Sequence, residues 1–153
     1  MSHVSEYLTE VQGLAKRFRS AMPEHQRLVY AVESVVKSVL PSRVVTADDA
    51  QTFIDGVCAD LDLVAPEVIV KRVGRGFLAC ASHEHHAIVV STPSIDLLTL
   101  CHELAHLICM TGEGHHDEWR TTFVGLARRF ISVEHGALLH TLYNRCDLPT
   151  AWS

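Results

Sequence analysis

His102-Glu103-Leu104-Ala105-His106 sets two imidazoles four residues apart with a carboxylate beside the first, and His115 follows nine residues later. On a helix, residues four apart are separated by about 6 Å along the axis and share one face, so both rings can reach a single metal ion. The residue after the first histidine lies about 100° round the helix, at the edge of that face. A carboxylate there can contact a water on the ion without displacing it, as metal-assisted hydrolysis requires.

The motif lies in Ser94–Met110, where Ile95, Leu97, Leu98, Leu100, Leu104, Leu107 and Ile108 surround it. Such a helix is apolar nearly all round and should be central and buried. Two histidines and a glutamate on it then need partners, because uncompensated burial of polar groups is costly, and a metal supplies them. A catalytic zinc usually takes three protein ligands and keeps one position for water. Candidates for the third ligand cluster in Glu113-Gly114-His115-His116-Asp117-Glu118. His115 is the first candidate and His116 the rival, since adjacent side chains point different ways. Glu113, Asp117 and Glu118 are further options, and Asp117 and Glu118 also suit the first turn of a following helix. Cys109, seven residues after His102, could close the site as a fourth ligand. It lies a further turn along the helix, and closed sites usually carry several cysteines. Three histidines suit zinc best, although nickel, cobalt and iron accept them too.

A chain of 153 residues is long enough to bury a real core, and we read residues 1–153 as a single domain. The apolar share of 48% and charged share of 20% fit an ordinary globular protein. A net charge of −5 argues against a nucleic-acid surface, so no nucleic-acid partner is expected. No apolar run is long enough to span a membrane, Met1–Ser20 has no signal-peptide character, and no membrane partner is expected. Cys58, Cys80, Cys101, Cys109 and Cys146 are odd in number and lack C-x-x-C pairing, which fits a reducing cytoplasm better than a disulfide framework.

The elements that must carry the motif follow from periodicity. Tyr7, Leu8, Val11, Leu14, Ala15 and Phe18 form one helical stripe, and Leu28, Val32, Val35, Val36 and Val39 form another between Pro23 and Pro41. Thr46-Ala47-Asp48-Asp49 is a capping signal for a third helix through Ala50, Phe53, Ile54, Val57, Cys58 and Leu61. Residues 1–64 thus form an N-terminal helical part, and the remaining core spans 65–153. Val68–Val73 and Phe77–Ser82 read as strands joined through Gly74-Arg75-Gly76 into a hairpin, and Ala87–Ser91 as a third strand. Thr92-Pro93 should open the motif helix and Thr111-Gly112-Glu113-Gly114 should end it. Two more helices are expected over Asp117–Ile131 and Val133–Arg145. The fold class is α+β, with a small, mostly antiparallel sheet, a central motif helix and flanking helices.

His102–Phe130 resembles small zinc peptidases of the zincin class: HExxH, a short loop, G-H-x-x-x-aromatic and an amphipathic helix. SprT-like and WLM-type domains share this layout, and the likeness is strongest to short metallopeptidases of actinobacteria and their phages. Gly114-His115 stands at the family's Gly-His, and Trp119 at its aromatic position. His116 and Asp117 stand where the family often has glycine and proline. The resemblance covers about thirty residues and hardly touches Met1–Val64. It implies a minimal zincin-like domain, Zn2+ on His102, His106 and His115, and hydrolysis of a peptide or protein substrate.

In that reading Glu103 is the general base and returns its proton to the leaving amine. Tyr143, His135, His140 and Arg128 are candidates to stabilise the oxyanion. Thr99 could support a ligand from behind, while Asp96 suits a helix cap. Ala87–Ser91, if it is a sheet edge, could take up an extended peptide as a further strand. His83-Glu84-His85-His86 reads as a solvated turn, in preference to a second metal site. The competing reading is a non-catalytic, metal-stabilised module for protein interaction or regulation. A retained Glu103 favours the enzyme, because a structural ion has no use for it.

Overall fold

The computed structural model describes residues 2–18, 21–72, 78–110 and 114–152. The chain divides into two compact units, Met1–Pro41 with Glu113–Ser153, and Ser42–Gly112. The architecture is α+β. Among the described residues no helix is long and apolar enough to cross a membrane.

The first unit is helical: α1 (Ser2–Ala15), α2 (Glu24–Val39), α5 (Asp117–Phe130) and α6 (Val133–Arg145). Here α1 packs on α2, α5 on α6, and α2 on α6. The expected stripes turn inward, with Val11, Val32, Val35, Val36, Phe123 and Leu139 fully buried. Pro23 is the residue just before α2 rather than its first residue. At Gly136 the two last helices approach so closely that a Cβ would lie 2.8 Å from the Cα of Arg128. Only glycine fits that contact. The Ser132 hydroxyl caps α6 by accepting the His135 amide at 3.1 Å. The end of the chain is fastened to the same helices. Ala151 N–H donates to Thr121 Oγ1 at 3.1 Å, and the Arg128 guanidinium lies 4.6 Å from the Trp152 ring centroid.

The second unit contains the strands, β1 (Val44–Thr46), β2 (Glu67–Val70), β3 (Ala79–Ser82), β4 (Ala87–Val90) and β5 (Ser94–Asp96), together with α3 (Ala47–Asp60) and α4 (Leu97–Cys109). Thr46 caps α3 as its sequence implies, accepting from the Asp49 amide at 3.3 Å. Two features of the sheet differ from expectation. The strands do not form a β2–β3 hairpin: β4 lies between them in the order β2-β4-β3, parallel to β2 and antiparallel to β3. The Gly74-Arg75-Gly76 turn lies outside the described residues. The reason for the central place of β4 is composition. Ala87, Ile88 and Val90 are buried, so this strand needs cover on both faces, whereas β2 and β3 are only partly buried. As a result β4 has no free edge for a peptide.

The second difference is a short antiparallel pair, β1 with β5, in which Val45 opposes Ile95 and both are buried. It occupies the residues expected to open the motif helix, which therefore starts at Leu97. Asp96 is its cap, accepting the Thr99 amide at 3.0 Å. At the other end Met110, with φ 54°, makes the left-handed turn expected of the glycines, and its N–H returns to the His106 carbonyl at 3.2 Å.

Candidate metal centre

Every residue from Leu97 to Leu107 is buried, so α4 is the central helix that its composition demands. A side chain on any of its faces meets protein rather than water. His102, Glu103 and His106 therefore sit in a dry setting, the two histidines 5% and 8% exposed. Their ring centroids are 5.2 Å apart, as the four-residue spacing requires. The Thr99 hydroxyl donates to Asp96 Oδ1 at 2.7 Å, which extends the cap into the turn before His102.

His115 follows Gly114 and precedes α5. It is 2% exposed. Its ring meets Trp119 edge-on at 4.5 Å between centroids and Tyr30 at 5.1 Å. Its Nδ1 is hydrogen-bonded to Oε1 of Gln26 on α2. Its carbonyl accepts from Arg120 Nη1 at 2.7 Å, and Arg120 Nη2 also reaches Asp117 Oδ1 at 2.5 Å. Arg120 is itself buried. Backbone and ring at position 115 are thus both held. Gly114 supplies room: the space a Cβ would fill is taken by the His116 ring.

His102, His106 and His115 each offer one ligand atom, and these atoms lie within 4.8 Å of one another. Three buried imidazoles in one group are a donor set that could hold a metal ion.

The rival ligands fall elsewhere. His116 is exposed, stands at the N-cap of α5 and stacks on His25 with centroids 6.0 Å apart. Asp117 and Glu118 are exposed in the first turn of α5, while Glu113 lies outside the described residues. Cys109 is not part of the group. His83–His86 form the turn between β3 and β4, with His86 at φ 47° and its Nε2 bonded to the Val64 carbonyl at 3.0 Å. Among the described residues this turn joins no metal-binding group.

The oxyanion candidates are engaged in the helical unit. His135 bonds Ser132 Oγ and the Leu40 carbonyl, each at 2.7 Å, and His140 bonds Thr150 Oγ1 at 2.5 Å. Arg128 covers Trp152. Tyr143 is fully buried, and burial, with Glu33 adding to it, pushes its phenol well above the ordinary value of 10.0.

Gln26, Tyr30 and Arg120 were not legible as neighbours of His115. Gln26 and Tyr30 stand four apart on one face of α2, but nothing local names a partner 89 residues away. Arg120 follows Trp119 in the motif region and could have been suspected only as a charge too close to a buried aromatic to stay wet. Compared with known protein families, curated proteins and solved structures, the chain finds no match.

Proposed function

We propose that this protein is a zinc-dependent peptidase, with His102, His106 and His115 as the ligands and Glu103 as the general base. The observation that carries the reading is the gathering of three buried histidines into one group, with a carboxylate next to the first. A structural ion would be served as well without that carboxylate. Zinc bound by three imidazoles supplies Lewis acidity and brings the ionisation of water down to about pH 7.

The chain's own residues do the rest. Glu103 takes a proton from the attacking water and delivers it to the departing amine nitrogen. Its burial keeps competing water away from that transfer. The substrate is a peptide in extended form, and β3 is the strand to receive it. This strand is at the edge of its sheet and packs on α4, so an added strand would run beside the motif helix. The net charge of −5 suits a peptide better than a nucleic acid as substrate.

Glu103→Gln tests the assignment. Bound zinc is measured by elemental analysis and cleavage with an unstructured protein and a mixed peptide pool. The variant should keep the metal and the fold and lose about 10²–10⁴-fold in cleavage rate. Equal cleavage by variant and parent removes Glu103 from the chemistry. Zinc binding with no cleavage by the parent of any substrate assigns the ion to stability or protein interaction.

A further inference from the structure

An imidazole can ligate through one nitrogen while the other carries the proton, so a ligand histidine needs a partner for its N–H. For His115 that partner is visible. Nδ1 faces Oε1 of Gln26. A carbonyl oxygen accepts and cannot donate, so Nδ1 holds the proton and Nε2 keeps its lone pair. Gln26 stands in the first turn of α2. Tyr30, one turn further along the same face, sets its ring against the same imidazole.

We propose that Gln26 is a positioning residue of the metal centre, fixing His115 in the Nδ1–H form and thereby setting the affinity for a divalent ion. The N-terminal helices, which the family resemblance does not reach, then take part in building the centre. The inference rests on the reading of the three histidines as ligands. It adds a residue from a distant part of the chain and a direction of effect. A carboxylate in the same place would accept the same proton more strongly and make the imidazole a better donor.

The test uses the full chain and Zn2+ itself, with affinity read by competition against a chromophoric chelator. Co2+ absorption reports the ligand field. Gln26→Met, which keeps the length and loses the acceptor, should weaken Zn2+ binding by about 10–100-fold and alter the Co2+ spectrum. Gln26→Glu should bind at least as tightly as the parent. Unchanged affinity in Gln26→Met, or an equal loss in both variants, overturns the inference and leaves the metal reading standing. A parent protein that binds neither Zn2+ nor Co2+ overturns both. Should Gln26→Met fail to fold, imidazole 15N spectra of the metal-free parent decide. His115 protonated on Nδ1 supports the assignment, and His115 protonated on Nε2 refutes it.

Discussion

Helix α4 and the segment that carries His115 reach the same end by different means. On α4 the closeness of His102 and His106 is a property of the helix, guaranteed by a four-residue spacing once the helix forms. The helix forms because eleven consecutive residues can be buried and because Asp96 caps its start. His115 has no such guarantee. Gln26 holds its ring, Trp119 and Tyr30 wall it, and Arg120 holds its carbonyl. His102 and His106 are organised by local geometry, His115 by side chains gathered from α2 and α5. The first arrangement should survive most distant substitutions, and the second should not.

The largest test removes ligands one at a time. Apparent zinc binding in small structural sites amounts to about 10–16 kcal/mol over the whole ligand set. Loss of one imidazole should therefore lower affinity on the order of a thousandfold. His106→Ala and His115→Ala should behave alike in this, whereas His116→Ala should bind as the parent does. Chelator competition reads all three. Retained affinity in His115→Ala with loss in His116→Ala would move the third ligand by one residue and undo the comparison.

The same contrast explains what could be read from the chain beforehand. The periodicity of α5 and α6 and the all-round apolar character of α4 are local signals, and these helices stand within a few residues of expectation. His102 and His106 were legible for the same reason, and His115 through its short distance from them. The sheet was not. Whether β2 pairs with β3 or with β4 depends on which strand can bury both faces, and the apolar run Ala87–Val90 wins the central place only in competition with its neighbours. The three-residue pair β1–β5 is too short to leave a periodic trace, and it took Ser94–Asp96 from the helix. Gln26 is the clearest case of a non-local partner, since no spacing rule links positions 26 and 115.

A matched pair of substitutions sharpens the difference at the level of stability. Asp96→Ala removes the cap of α4 and should cost about 1 kcal/mol in urea unfolding, with Zn2+ affinity nearly unchanged because the histidine spacing persists. Arg120→Met removes the Nη1 donor from the carbonyl of buried His115 and frees the backbone that carries it. It should cost about 1–3 kcal/mol and lower Zn2+ affinity together. If both variants lose stability alone, the third ligand is no more dependent on distant residues than the first two.

The smallest expected effect belongs to Tyr143. Among the described residues its hydroxyl is buried without a hydrogen-bond partner, and the burial that suppresses its ionisation also makes the oxygen costly to keep. Tyr143→Phe should then be neutral or stabilising by up to about 1 kcal/mol near pH 8. The sign of the pH effect follows from the suppressed ionisation of the folded phenol. Below pH 10 both folded and unfolded phenols are protonated and nothing depends on pH. Above about pH 10 the unfolded chain loses its proton while the folded one keeps it, so the parent becomes less stable as pH rises. The variant should be spared that part of the alkaline loss, which denaturant unfolding at pH 8 and at pH 10.5 would read. Arg120 pulls the Tyr143 ionisation the other way, so this phenol does sense the residue that holds His115. Unchanged Zn2+ affinity in Tyr143→Phe would confine the support of the third ligand to α2 and α5. A weakened one would extend it into α6.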